Sequence, residues 1–224
     1  RDNPEQLIER LNGEQATKER HAYYKIEYRP RTQLDHATRW FYINRTSYSG
    51  IMNRPNCYWG YGDKYSMRPE NWPRNILKTS TKLQNVRLTA FDFEKIIEEV
   101  PNDSFLFIDP PYFNADQEKF YVHSFKKEDH VRLSKTLKKH TGRFKFLLTY
   151  DDSPEVRELY HWAQRMHERA WNYTINRTDD QKNGTGKKGV RYKGHELFIV
   201  NYDSEQHPPL FVPSSFAYKI LEEV

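Results

Sequence analysis

A carboxylate, two prolines and a tyrosine, Asp109-Pro110-Pro111-Tyr112, follow directly on the apolar run Phe105–Ile108. The apolar run predicts a short buried strand, so the acid stands where that strand leaves the core. Proline has a fixed φ and no backbone N–H, so its carbonyl is a rigidly held acceptor. A carboxylate, a preset carbonyl and a flat ring suit an exocyclic amine on a planar base. Hydrogen bonds to both amine protons would orient the nitrogen lone pair on an electrophile.

Strands and helices alternate along the second half of the chain. Strands are predicted to begin near residues 86, 104, 144, 168 and 195, and helices at 94–100, 127–140 and 153–166. This alternation favours an α/β fold with an open, mostly parallel sheet. The last two strands have no helix between them, which predicts an antiparallel pair. Ligands bind such sheets at the carboxyl ends of the strands, and Asp109 stands at one of those ends.

The first half of the chain is basic and aromatic. Twelve Lys or Arg against four acids lie between Lys25 and Arg87, a local excess of +8, and nine aromatic residues lie between Trp40 and Trp72. Cations neutralise phosphates, and exposed rings stack on bases. A small aromatic core is the alternative use of the same rings, and Trp40 and Phe41 are predicted to belong to it. Overall, a net charge of +5 with 15% aromatic residues favours a nucleic-acid partner.

Composition also excludes several classes of protein. No run of eighteen apolar residues is present, so no membrane partner is expected. The lone Cys57 excludes an intrachain disulfide and suits a reducing cytoplasm. No spacing of metal-ligating residues predicts a metal site. The stretch 184–189 matches the dinucleotide pattern G-x-G-x-x-G but leads into a predicted strand, so it is interpreted as a hairpin loop.

A strand followed by DPPY resembles the catalytic motif of amino-methyltransferases. From about Tyr24 to Tyr202 the chain resembles the DNA adenine methylase family, on four further pieces in order: FYINRTSYSGIMNRPN, YGDKYSMRP, FDF at 91–93 and KKGVRYKGHELFIVNY. The resemblance implies a Rossmann-like methyltransferase sheet with a helical and hairpin DNA-recognition subdomain. It also implies S-adenosylmethionine as methyl donor and adenine N6 in double-stranded DNA as target. An adenine-specific methyltransferase of this kind, as in restriction–modification, is expected in the cytoplasm of a bacterial or phage-infected cell.

The resemblance also implies roles for individual residues. Asp109 and the Pro110 carbonyl would bind the target amine, Tyr112 would stack on the target base, and Asp109 would lie close to the cofactor. Asp92 would accept from the cofactor's adenine amine, with Phe93 beside the ring. The expected DNA contacts are Tyr48, Ser49, Asn53 and Arg54 in a hairpin, and Lys187, Lys188 and Arg191 in a basic loop. Arg54 either reads guanine or contacts phosphate, and the sequence leaves both open.

The chain departs from the family in its cofactor segment. The family's glycine-rich cofactor loop is absent, and five predicted strands stand against seven, the first two of which lie between the strands at 86 and 104. We therefore expect N-terminal strands to be missing from this sequence, or another chain or segment to supply the cofactor loop. The predicted organisation is 1–24 as the remainder of an N-terminal catalytic part, 25–85 as the target-recognition subdomain and 86–224 as the catalytic core. An RNA adenine-N6 methyltransferase and a non-catalytic DNA-binding remnant are the alternative functions.

Overall fold

The computed structural model describes residues 1–114, 124–172 and 193–204. They form two compact units. The first is Arg1–Ala90, and the second comprises the described parts of Phe91–Ala115 and Phe125–Val224.

The first unit is helical. Helix α3, Gln33–Thr46, begins after Thr32 in a capping box, in which the Thr32 side chain accepts from the Asp35 amide and the Asp35 side chain accepts from the Thr32 amide. Aromatic rings pack against one another in the core of this unit. The rings of Tyr24 and Tyr42 are stacked with their centroids 4.4 Å apart, and Trp72 meets Tyr42 edge-on. The α-helices of this unit are α1 Pro4–Leu11, α2 Lys18–Ala22, α3 Gln33–Thr46 and α4 Trp72–Leu83, with a π-helical turn at Tyr23–Glu27 and 3₁₀ turns at Tyr48–Gly50 and Pro69–Asn71. The buried apolar residues of this unit are Leu11, Tyr24, Tyr42, Ile43, Cys57, Trp72 and Ile76.

One predicted core residue of this unit was placed wrongly. Phe41 packs against the aromatic core, as predicted, but Trp40 is 56% exposed. Trp40 lies on α3 one residue before Phe41, and a step of one residue turns the side chain by about 100° around the helix. The helix therefore buries Tyr42, packs the half-buried Phe41 against the core and leaves Trp40 in solvent.

The second unit packs helices against a mixed four-stranded sheet. The elements are α5 Phe93–Glu99, β1 Phe105–Ile108, α6 Lys127–His140, β2 Lys145–Asp151, α7 Pro154–Leu159, β3 Arg165–Asn172 and β4 Lys193–Val200. The strand order is β1-β2-β4-β3. The β1–β2 pair is parallel, whereas β2–β4 and β3–β4 are antiparallel. The prediction of an antiparallel final pair is confirmed. The prediction of a mostly parallel sheet is wrong for the described strands, since only one of their three pairings is parallel.

Helix signals in the sequence place the starts of the helices in this unit well. The predicted helix 153–166 was too long, since α7 ends at Leu159 and β3 begins at Arg165, before the predicted start near 168. Helix α6 covers the predicted 127–140, and Ser153 caps α7 by accepting from the Val156 amide, as its type and position predict. On α6, Leu133 and Leu137 are fully buried, whereas Val131 is exposed. The unit's core contains these two leucines with Ile97, Phe144, Phe146, Leu148, Tyr150, Val156, Tyr160, Leu197 and Ile199.

The prediction of a strand at 86–93 was wrong. Residues 86–92 have no strand assignment, each of them is exposed, and α5 begins at Phe93. Alternating side chains are not enough for a strand, because its backbone groups need a partner strand. The strand predicted at Phe105–Ile108 forms as β1, but the prediction that it is buried was wrong. Within the described sheet β1 is an edge strand, and its Phe105 and Phe107 are 58% and 64% exposed.

No helix among the described residues is long and apolar enough to cross a membrane.

Candidate active site

Residues 109–114, here called the motif loop, leave the sheet at the carboxyl end of β1. The parallel register pairs Ile108 with Leu148, so Asp109 emerges beside Thr149 of β2. The Thr149 hydroxyl donates to Asp109 Oδ1 at 2.7 Å. Asp109 is exposed, whereas Pro110, Pro111 and Tyr112 are half-buried. The structure therefore brings the four predicted catalytic residues together at one strand end, with the carboxylate open to solvent.

The end of β2 also holds the far side of the motif loop. The carboxylate of Asp151 accepts from the Phe113 amide at 2.8 Å, and its second oxygen accepts from the Asn114 side chain at 3.0 Å and the Asn114 amide at 3.3 Å. Two neighbouring parallel strands thus end in one hydrogen-bonded group. Because the motif loop contains two prolines and is tied at both ends, its backbone is well restrained.

Buried aromatic residues form the floor beneath the motif loop. Tyr112 lies against Tyr150, Phe113 lies against His130, and the His130 Nδ1 and Tyr150 hydroxyl are 2.5 Å apart. Burial lowers the pKa of His130, because the charged imidazolium loses hydration. Burial likewise raises the pKa of Tyr150 and of the neighbouring Tyr160. The floor is therefore uncharged at neutral pH.

Asp92 and Phe93 lie at the start of α5, where a single guanidinium contacts both. Asp92 caps the helix by accepting from the Glu94 amide at 2.9 Å. Arg132 of α6 binds both oxygens of Asp92, at 2.8 and 3.0 Å, and also Glu94 and Asp129. The Arg132 guanidinium carbon stands 4.2 Å from the centre of the Phe93 ring. The pKa of Asp92 is lowered, mainly by its hydrogen bonds with Arg132. Sequence reasoning missed Arg132, which is forty residues away along the chain.

The predicted hairpin residues lie in the first unit, on a segment closed at its base. The backbone of Ser47 bridges Trp59, and the Tyr48 amide donates to the Tyr58 carbonyl at 2.9 Å. A side chain at Gly60 would meet the Tyr48 backbone at 2.2 Å, so this close approach requires glycine. We call residues 47–60 the anchored segment.

The predicted DNA-contacting residues of the anchored segment are mostly accessible. Tyr48, Ser49 and Arg54 are exposed, and Asn53 is half-buried. Ser49 has a φ of 53°, in the left-handed region that non-glycine residues seldom adopt.

A buried histidine anchors this segment from below. His21 of α2 places Nδ1 2.8 Å from the Thr46 hydroxyl and Nε2 3.0 Å from the Cys57 carbonyl oxygen. Lys25 donates to the same carbonyl at 3.3 Å. Burial lowers the pKa of His21. Sequence reasoning missed His21, since nothing local marks a histidine whose partners lie 25 and 36 residues further on.

The remaining predicted DNA contacts have no described position. Lys187, Lys188 and Arg191 lie outside the described residues, as does the glycine-rich stretch 184–189. Thr149 and Asp151 escaped sequence reasoning, although the end of β2 was an available signal because neighbouring parallel strands end at one edge. In the described ranges no cluster of three His, Cys, Asp or Glu could hold a metal ion.

One protein-family model and two known proteins are similar to this sequence. The model of the D12 class N6 adenine-specific DNA methyltransferase family matches residues 1–175. The type II methyltransferase M1.LlaDCHI of Lactococcus lactis subsp. cremoris is 25% identical over 219 residues, covering 90% of this chain and 73% of the relative. The type II methyltransferase M.CviBI of Paramecium bursaria Chlorella virus NC1A is 31% identical over 193 residues, covering 80% of this chain and 66% of the relative. Because the family model matches well over half of it, the chain belongs to the D12 class of N6 adenine-specific DNA methyltransferases.

Proposed function

We propose that the protein transfers a methyl group from S-adenosylmethionine to adenine N6 at a specific site in duplex DNA. One observation carries this proposal. In a chain of the adenine-specific family, the Asp109 carboxylate and the Pro110 carbonyl leave the sheet together at the end of β1, with Tyr112 beside them. Type II methyltransferases among the relatives support site-specific action.

The proposed chemistry follows from the acceptors at the motif loop. The adenine amine is a poor nucleophile, because its lone pair is delocalised into the ring. Asp109 and the Pro110 carbonyl each accept one amine proton, which localises the lone pair and orients it. Tyr112 offers a face on which the base stacks. The amine lies inside the duplex until the base is flipped out, so the site acts on an extruded base.

Asp92 and Phe93 fit the adenine end of the cofactor. The methyl group is supplied by S-adenosylmethionine, whose sulfonium makes it electrophilic. Three contacts from Arg132 and the Glu94 amide occupy the Asp92 carboxylate, and a carboxylate accepts about four hydrogen bonds. One acceptor position thus remains for an adenine amine, and the Phe93 ring lies next to it along the chain.

The basic first unit supports a role in DNA binding. We assign 25–85 to target recognition, 86–224 to a Rossmann-like catalytic core and 1–24 to the remainder of the catalytic part. In this assignment Arg54, with Tyr48, Ser49 and Asn53, faces DNA from the anchored segment, while Lys187, Lys188 and Arg191 contact phosphates.

Methyl transfer from labelled S-adenosylmethionine tests the proposal on the full-length protein. Duplex DNA and RNA oligonucleotides of matched sequence are compared, and the product nucleosides are separated and identified by mass spectrometry. We expect N6-methyladenine in duplex DNA only. Label in RNA alone would replace the proposal with an RNA methyltransferase. Absence of cofactor binding in calorimetry would replace it with a DNA-binding remnant.

A further inference from the structure

We propose that Thr149 is a positioning residue for methyl transfer, which acts by orienting the Asp109 carboxylate. This inference rests on the proposed function, because it assigns the reacting carboxylate to Asp109. It concerns the neighbouring strand β2, which contains none of the residues of the DPPY motif.

The first support is the register of the sheet. Leu148 pairs with Ile108 in the parallel β1–β2 ladder, so the residues that follow, Thr149 and Asp109, stand side by side. Side chains alternate between the faces of a strand. Leu148 and Tyr150 point into the core, so Thr149 projects from the opposite face, where Asp109 meets it.

The second support is the hydrogen bond itself. The Thr149 hydroxyl donates its single proton to Asp109 Oδ1 at 2.7 Å, and the Ile108 carbonyl, at 3.4 Å, is a weaker alternative acceptor. Among the described residues, no other partner contacts the Asp109 carboxylate, so Oδ2 remains for the target amine. One oxygen is therefore held while the other is presented.

The third support is the contrast in burial between the two partners. Thr149 is 7% exposed, whereas Asp109 is exposed. A β-branched side chain in a strand has few χ1 rotamers, so the buried hydroxyl keeps its direction. An exposed aspartate samples several rotamers unless something restrains it. The buried partner thus supplies the orientation that the exposed one lacks.

Two comparisons isolate the Thr149 hydroxyl: the wild type with Thr149→Val, and Thr149→Ser with Thr149→Ala. Thr149→Val is nearly isosteric but lacks the donor, and Thr149→Ser keeps the donor but lacks the methyl group. Thr149→Ala differs from Thr149→Ser in the hydroxyl alone, so this second pair decides the matter even when the valine variant does not fold. Ser134→Ala is the control, because Ser134 is 4% exposed and its hydroxyl donates to the Leu159 carbonyl at 2.6 Å, outside the motif loop.

The measurement is the single-turnover methylation rate at saturating cofactor and duplex DNA, with both dissociation constants measured separately. A lost hydrogen bond to a charged group predicts a fall on the order of tenfold or more for Thr149→Val, with both dissociation constants unchanged. Thr149→Ser should stay within about threefold of the wild type on the same basis. The control should keep its rate.

The outcomes separate a positioning role of Thr149 from a packing role, and both from a failure of the proposed function. If Thr149 only packs, the serine variant loses more melting temperature than the valine variant, and rates follow stability. A valine variant as fast as the wild type overturns the inference while the proposed function stands. A wild-type protein without transfer to DNA overturns the proposed function itself.

Discussion

The motif loop of the second unit and the anchored segment of the first are both held by polar residues that are buried or half-buried, but at different atoms. In the motif loop, Thr149 binds the side chain of Asp109, and Asp151 binds the backbone that follows Tyr112. In the anchored segment, His21 and Lys25 bind the backbone carbonyl of Cys57. The first arrangement restrains the side chain of Asp109, whereas the second restrains only the backbone from which side chains project.

The difference corresponds to the roles proposed for the two regions. A group that reacts must be held in one geometry, because misorientation of a reacting group costs rate directly. A group that contacts DNA has to adapt to a groove, and Arg54 is exposed on a stiff backbone next to Pro55. Substitutions in the motif loop should therefore change the rate of transfer, and substitutions in the anchored segment should change the choice or strength of DNA binding.

The largest effect is expected from Asp109→Ala. Losing an oriented electrostatic contact in the transition state costs on the order of a hundredfold or more in rate. Asp109 is exposed at the end of a strand, so the melting temperature should change little. Single-turnover methylation at saturating DNA and cofactor measures the loss. Glu158→Ala, which removes an exposed acid elsewhere in the same unit, is the control. A mutant that retains most of its turnover would contradict the assignment of Asp109.

Tyr112→Ala should lower catalysis more than overall DNA affinity. Stacking of a base on an aromatic ring is worth about 1–3 kcal/mol, whereas phosphate contacts supply most of the affinity. Tyr112→Phe keeps the ring and serves as the matched control, which should keep most of the rate. The two quantities are the transfer rate and the dissociation constant for duplex DNA. Equal losses in both would identify Tyr112 as a structural residue.

Arg54→Ala tests the anchored segment. If Arg54 reads a base, the variant should relax sequence choice at one position by about 1–3 kcal/mol. If it contacts phosphate, affinity should fall evenly across sequences and the salt dependence should become shallower. Methylation of duplexes with single-base substitutions, at two salt concentrations, separates the two. Arg74→Ala removes an exposed cation from α4 and should leave sequence choice unchanged. If Arg54→Ala changes neither the sequence selectivity nor the salt dependence, Arg54 does not contact DNA.

Local signals predicted the helices and the motif loop, because a cap or a proline acts on its immediate neighbours. Thr32, Ser153 and the run before Asp109 all lie where their types indicate. Contacts across the chain escaped prediction. Thr149 reaches Asp109 across forty residues, and Arg132 reaches Asp92 across the same distance. Such pairs depend on strand register and helix packing, which no short pattern encodes. The failure at 86–92 has the same origin, since a strand requires a partner.

The smallest effect is expected at the Arg132 clamp, the set of contacts from Arg132 to Asp92, Glu94 and Asp129. Asp92 is the second carboxylate of the proposed site, and a guanidinium orients it where a hydroxyl orients Asp109. Arg132→Gln leaves three carboxylates without their shared cation, and Asp92 then loses its fixed direction. The side chain of Arg132 is 35% exposed, and exposed ion pairs contribute about 0–1 kcal/mol. The dissociation constant for S-adenosylmethionine should therefore rise about threefold to fivefold, with little change in the rate at saturation.

Arg157→Gln is the matched control for that clamp. Arg157 binds both oxygens of Asp152, at 2.7 and 2.9 Å, and its side chain is 41% exposed. Arg157→Gln should lose about as much stability as Arg132→Gln, while its dissociation constant for the cofactor stays unchanged. Isothermal titration with S-adenosylmethionine compares the two variants directly, without any need for DNA. Equal weakening of cofactor binding in both variants would show that losing either arginine loosens the unit. Tighter cofactor binding in Arg132→Gln would mean that Arg132 competes with the cofactor for Asp92. Selective weakening in Arg132→Gln alone would extend to Asp92 the rule proposed for Asp109, that a site carboxylate is oriented by a partner on a neighbouring element.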